Sequence, residues 1–294
     1  MRSRILFSVL LLFLMTAISE GQETIPYGNN PSAGRYVTVN GIKMYYEIYG
    51  TGEPLVLIHG NGGSISNFYG QIPFFSKHYK VIIADSRAQG KSGDNDQKLS
   101  YKLMASDWAA LLDKLEIDSA YICGWSDGGV IGLIMAMDYP EKVKKLVSMG
   151  GCVLSDTTAY PEYVLEFNRK ALQYIDEKIA GKDTSKNWLR LRKLMEIWTE
   201  IDIPFSALHK IKAPTIIMAG DKDMVREEHT IKIFQNIEKA HLCIFPGATH
   251  AIPVEDPETF NQAVHRFFSK PYTRPDLEPL LNNLMKDMSK FYGN

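Results

Sequence analysis

The chain has 294 residues, enough for one large α/β domain or two small ones. Hydrophobic residues make up 45% and charged residues 23%, an ordinary globular balance that excludes a disordered, collagen-like or multi-span membrane protein. With 33 basic and 34 acidic residues there is none of the basic excess of a nucleic-acid-binding domain, so no nucleic-acid partner is expected.

Residues 1–19 read as a secretory signal peptide. Arg2 and Arg4 open it, an apolar run follows, and Ala17-Ile18-Ser19 supplies the small residues a signal peptidase reads. The run is short for a membrane span of ~20 residues. No stable span is therefore expected once it is cleaved; an uncleaved anchor is the alternative. Cleavage after residue 19 removes two arginines and no acid, which takes the net charge from −1 to −3. The mature chain is expected to be exported, to the periplasm or beyond. Cys123, Cys152 and Cys243 are odd in number and lie in or beside apolar runs, so they read as buried free thiols. A Cys123–Cys152 bridge is the alternative that an oxidising compartment allows.

Residues 20–34 are polar and Gly/Asn/Pro-rich, and read as a linker. A hairpin follows: alternating runs at 36–39 and 42–49 flank Asn40-Gly41, a pair suited to positive φ at both turn positions. Apolar strands are expected at 54–59 (PLVLIH), 79–85 (YKVIIAD), 120–124 (AYICG) and 144–149 (KKLVSM). Helices are expected between them at 64–77, 101–115 and 129–137, with a Gly/Ser/Asp-rich loop at 86–99. Strand–helix alternation of this kind predicts a mainly parallel sheet covered on both faces. Residues 153–210 break the rhythm. They carry only helical segments, with Trp188, Leu191, Met195 and Trp198 on one face, and read as a helical insertion over the sheet. Strands resume at 215–219 (TIIMA) and 241–245 (HLCIF), with helices at 226–239 and 257–268. The core is thus 35–152 plus 211–270. In the tail, 271–294, Leu277, Leu280, Leu281, Leu284, Met285, Met288 and Phe291 form an amphipathic helical stripe. The stripe is expected to pack on the body; a dimer contact or a membrane surface are its other uses.

Chemistry concentrates in Gly124-Trp125-Ser126-Asp127-Gly128-Gly129. The pattern G-x-S-x-G, placed after a strand and opening a helix, sets a serine on a strained turn at the carboxyl end of the sheet. A serine hydroxyl needs a base, and the base an orienting acid. Of seven histidines, His250 follows the last strand, at the same sheet edge as Ser126. Gly220-Asp221-Lys222-Asp223 ends the preceding strand. Asp223 is the first choice as the acid, Asp221 the second and Asp156 the third. The oxyanion needs two backbone N–H donors, expected from Asp127 and from Asn61 in the loop His59-Gly60-Asn61-Gly62-Gly63. Trp125 is read as core packing or as a wall of the substrate pocket. Gly90-Lys91-Ser92 lacks the earlier glycine of a phosphate-binding loop, and there is no metal-ligand spacing. No metal or organic cofactor is implied.

These motifs, HGNGG at 59–63, DSRAQGKS at 85–92, GWSDGG at 124–129, GDKD at 220–223 and GATH at 247–250, resemble those of the α/β-hydrolase superfamily over about residues 36–269. The resemblance implies an α/β-hydrolase fold with a sheet of about eight strands and a helical cap. Ala88 stands where that family usually has glycine. A serine at 126 sets the chain apart from the aspartate-using dehalogenase and epoxide hydrolase branches. GWSDGG is also similar to the elbow of valacyclovir hydrolase-like (biphenyl hydrolase-like) members, in which the acid after the nucleophile is implicated in binding a substrate's amino group. That likeness implies a substrate-binding role for Asp127. The expected activity is hydrolysis of a small or medium carboxylic ester through an acyl-enzyme. Amide or peptide hydrolysis, carbon–carbon bond hydrolysis and perhydrolysis use the same triad, and a non-catalytic ligand-binding role is the alternative from another class.

Overall fold

The sheet is built from β1 (Arg35–Val39), β2 (Ile42–Tyr49), β3 (Pro54–Ile58), β4 (Lys80–Ala84), β5 (Ala120–Trp125), β6 (Val143–Met149), β7 (Thr215–Lys222) and β8 (Ala240–Thr249). The computed structural model describes residues 25–274 and 276–292; the leader expected at 1–19 lies outside them. The spatial order is β1-β2-β4-β3-β5-β6-β7-β8. Only β2 runs against its neighbours, β1 and β4; every pair from β4 to β8 is parallel. Asn40 and Gly41 both adopt positive φ in the hairpin turn (41° and 79°).

The strands alternate between two cores, because successive side chains leave opposite faces. In β3, Leu55 and Leu57 point to one core, Val56 and Ile58 to the other. Helices α1 (Ile72–Phe75) and α8 (Pro257–Ser269) cover the first face through Phe75, Phe260, Val264 and Phe268. Helices α2 (Tyr101–Lys114), α3 (Asp127–Asp138) and α6 (Glu227–Gln235) cover the second through Trp108, Leu111, Ile131 and Ile233. The helix expected over 64–77 is instead a 3₁₀ turn at Ile65–Phe68 followed by the single turn α1. Gly70 and Pro73 explain the break. A side chain at 70 would meet Pro257 at 2.8 Å, and proline fits only the first turn of a helix.

Between β6 and β7 the chain makes the cap: α4 (Glu162–Ala180), α5 (Trp188–Glu196) and two 3₁₀ turns. Its two ends are zipped together, Ile203 N–H donating to the Val153 carbonyl at 2.8 Å beside the Leu154–Asp202 bridge. Arg190 of α5 donates to the carbonyls of Ala88 and Ser92, and Lys193 pairs with Asp94 at 2.8 Å. These contacts fasten the cap to the loop after β4.

His229 of α6 pins the root of the cap. Its Nε2 accepts the Val153 N–H at 3.1 Å, so the ring is held neutral, with Asp156 and Lys232 as the charges facing it. Burial pushes its pKa down to about 4. The unfolded chain then binds the extra proton more readily. This stabilisation is complete above the ordinary histidine pKa of ~6.5 and is lost as pH falls toward 4. The loss should reach about 3 kcal/mol. Chemical denaturation at pH 7 and pH 4 checks it: His229→Gln, which keeps an acceptor but cannot titrate, should show an acid limb shallower by that amount.

Helix α7 (Ile252–Glu255) follows β8, and α9 (Leu277–Tyr292) ends the described chain. The described side chains of the α9 stripe do not pack on the body. Leu277, Leu280, Leu281, Leu284, Met285 and Met288 are 50–65% exposed. A helical period shows which face is apolar but not what covers it. Among the described residues no helix is long and apolar enough to cross a membrane. The three cysteines are free thiols, Cys123 and Cys152 buried and Cys243 partly so.

Candidate active site

Ser126 sits between β5 and α3 with φ 58° and ψ −120°, a conformation that strains a non-glycine residue by about 1–3 kcal/mol. The turn persists because its surroundings fix it. Ser126 N–H donates to Met149 of β6 at 2.8 Å, and its carbonyl accepts from Gly129 and Val130. The flanking glycines are required by contact. A Cβ on Gly124 would lie 2.0 Å from the Gly128 carbonyl oxygen, and one on Gly128 would lie 2.0 Å from that of Ile58. The Ser126 side chain is thereby lifted to the rim, at the N-terminus of α3, where developing negative charge is favoured. Ser126→Gly should relieve the strain. We expect its melting temperature to rise by about 2–4 °C in calorimetry, a net gain near 1 kcal/mol.

β7 and β8 are parallel neighbours, so the residues just past their carboxyl ends meet. His250 Nδ1 lies 2.7 Å from Asp223 Oδ1. The Asp223 side chain is fully buried, and its Oδ1 also accepts the Val225 N–H at 3.0 Å. A carboxylate on Nδ1 places the proton there and leaves Nε2 as the basic nitrogen. Asp221 turns elsewhere: its Oδ2 accepts the Gly247 N–H at 2.9 Å and braces the turn before His250. Asp156 is exposed and caps its own turn through Thr158.

Trp125 packs in the core. Its ring meets Phe68 edge-on, and its Nε1 donates to the His250 carbonyl at 2.8 Å, fixing the backbone of that histidine. Gly150 (φ 60°), next in the chain to the Met149 that accepts from Ser126, is the floor on which the imidazole rests. A Cβ there would lie 2.6 Å from His250 Cε1. Ser126, His250 and Asp223 thus share one rim. Among the described residues the Ser126 hydroxyl makes no hydrogen bond with the imidazole. Such contacts are commonly loose in the free form and tighten around substrate.

Asn61 and Asp127 flank the serine. A Cβ on Gly60 would lie 3.0 Å from Ser126 Cβ, so the loop after β3 passes directly over the elbow. Among the described residues neither the Asn61 nor the Asp127 backbone N–H has a protein acceptor. The side chains form a network that the motifs did not reveal. Asn61 Nδ2 donates to Asp127 Oδ2 at 2.9 Å and to the Leu194 carbonyl of the cap at 2.8 Å. Tyr101 donates its hydroxyl to Asp127 Oδ1 at 2.8 Å, and the Trp198 indole lies beside the same carboxylate. Burial pushes the Asp127 carboxyl up to about 6, against the opposing hydrogen bonds from Tyr101 and Asn61. Tyr101 is simply the first residue of α2, and no motif marks it. Among the described residues no cluster of three or more His, Cys, Asp or Glu side chains is placed to hold a metal ion.

A family profile described as alpha/beta hydrolase fold matches residues 53–202. A serine hydrolase BPHL from Mus musculus is 27% identical over 247 residues, 79% of this chain and 84% of that protein. A 2-hydroxy-6-oxo-6-phenylhexa-2,4-dienoate hydrolase from Burkholderia cepacia is 27% identical over 285 residues, covering 81% of this chain and 97% of the relative. Among solved structures, the enol-lactonase from Burkholderia xenovorans LB400 superposes with a TM-score of 0.67 at 20% identity, over 80% of this chain and 100% of that one. That structure supports the fold alone.

Proposed function

The chain belongs to the α/β-hydrolase family, and from that premise we propose that it is an exported serine hydrolase acting on a small or medium carboxylic ester. Ser126 Oγ attacks the ester carbonyl while His250 Nε2 takes its proton. Asp223 holds the imidazole in the tautomer that makes this possible and stabilises the imidazolium that forms. The backbone N–H groups of Asn61 and Asp127 hold the tetrahedral oxyanion, each donor contributing about 3 kcal/mol. His250 then protonates the leaving alcohol, and water, activated by the same nitrogen, releases the acid from Ser126. The observation that carries this reading is the 2.7 Å His250–Asp223 contact at the rim that also presents the strained Ser126. Purified protein should hydrolyse p-nitrophenyl acetate and take up a fluorophosphonate on Ser126, located by peptide mass. Failure of both would end the reading.

The environment of Asp127 supports an ester over an anionic carbon–carbon substrate. The dienoate named for the Burkholderia cepacia relative carries a carboxylate. In this chain a buried carboxylate, Asp127, stands next to the nucleophile, with hydrogen bonds from neutral donors. Above about pH 6 it would repel such a substrate. The same feature favours a narrower reading, an ester bearing an amino group that Asp127 would pair. Aminoacyl esters should then gain on simple acyl esters as pH rises through about 6, where the carboxyl ionises. In the Asp127→Asn protein we expect the aminoacyl ester to lose about tenfold more kcat/KM than its simple acyl counterpart. Equal losses for both esters would remove the amino reading. Export rests on residues 1–19, and the mass of the N-terminus of secreted protein tests it.

A further inference from the structure

We propose that Asn168 reads a hydrogen-bond donor at the far end of the substrate, inside a ring-sized cleft beneath cap helix α4. The assignment rests on the hydrolase reading above and adds the substrate class. The cleft has a volume of about 180 Å³. A cavity of about 150 Å³ is enough for benzene. Tyr160, Val164, Leu165 and Trp198 give it largely apolar walls.

Asn168 supplies its buried polar point, while Ser155, Arg169 and Thr199 also line the cleft. The residue is 5% exposed. Its Nδ2 donates to the Met195 carbonyl at 3.3 Å, which fixes the direction of the amide. Its Oδ1 is left buried with no donor in the protein. A buried acceptor without a partner is costly, and a donor brought by a ligand removes that cost. The indole of Trp198, on the same cleft, is turned toward the Asp127 carboxylate.

Two residues join this cleft to the catalytic rim. Trp198 lies beside Asp127, and the Tyr160 hydroxyl contacts Cys152 Sγ at 2.8 Å, two residues past the Gly150 that supports His250. Trp198 is thus shared between the cleft lining and the surroundings of Asp127, the residue after the nucleophile, and the proposal places the far end of a substrate held at Ser126 in this cleft. The chemistry selects an ester with a single ring, or a branched group of that size, carrying a hydroxyl or N–H.

The test is binding to the full-length Ser126→Ala protein, read by calorimetry with two probes, methyl 3-(4-hydroxyphenyl)propanoate and methyl 3-phenylpropanoate. The hydroxylated probe should bind about tenfold more tightly, as expected where a buried group gains or lacks its partner. Asn168→Leu, similar in volume, should abolish that difference. Equal affinity for the two probes, or no binding of either, overturns the proposal without any change at residue 168. A preference that survives Asn168→Leu overturns it too. Turnover of p-nitrophenyl acetate by the wild-type protein judges the hydrolytic reading separately. Discrimination between the probes without turnover would reject that reading and leave the cleft standing.

Discussion

Asp223→Asn is expected to lower kcat on p-nitrophenyl acetate by about 10⁴-fold, with little change in stability. The side chain is fully buried and its Oδ1 takes two donors, His250 Nδ1 at 2.7 Å and the Val225 N–H at 3.0 Å. An asparagine oxygen can keep the Val225 contact, but then its amide NH₂ competes with the carbonyl for the imidazole. An imidazole that accepts at Nδ1 carries its proton on Nε2, where it cannot act as a base toward Ser126. The contrast with Asp221→Asn makes the experiment decisive. Asp221 accepts only the Gly247 N–H, a bond that an amide oxygen reproduces, so its loss should change kcat by less than about tenfold. Comparable kcat values for the two variants would dissolve the assignment of the acid.

That pair of carboxylates also marks how far the sequence could carry the argument. The strand run TIIMA shows where β7 points, and a parallel neighbour ending in His250 shows which edge matters. Two acids two residues apart both satisfy that pattern. The choice is made by the register shift between β7 and β8 near Gly220 and Lys222, a feature no composition rule encodes. The elbow was legible for the opposite reason. Its glycines are demanded by backbone collisions that leave a fixed signature in the sequence.

Contacts that depend on how the cap docks left no such trace. Asn61 reads only as a backbone donor to the oxyanion until its side chain is seen bridging Asp127 and Leu194, residues 66 and 133 positions away. Tyr101 and Trp198 reach the site through tertiary packing of helices whose period only separates buried from exposed faces. Trp125 shows the same limit: its position beside the nucleophile fits core packing or a pocket wall equally, and only the packing shows its indole against Phe68 and on the His250 carbonyl.

The elbow makes the most severe structural prediction, for a change of one methyl group. Gly128→Ala should destabilise the fold by about 4 kcal/mol or more, a drop of roughly 8–16 °C in melting temperature for a domain of this size. The added Cβ would lie 2.0 Å from the Ile58 carbonyl oxygen and 2.6 Å from its carbon, far inside contact distance. Neither side can easily retreat. Ile58 ends β3, which is bonded on both edges to β4 and β5. Gly128 is in the first turn of α3, whose start is fixed by the Gly129 and Val130 bonds to Ser126. Gly62→Ala is the control. Gly62 also has positive φ, 68°, but nothing lies within 4 Å of its Cβ, so only the backbone penalty of about 1 kcal/mol applies. If Gly128→Ala melted within about 2 °C of the parent, a difference of at most about 1 kcal/mol, α3 could not be packed on β3 as closely as the nucleophile turn requires. The strained conformation of Ser126 would then need another explanation.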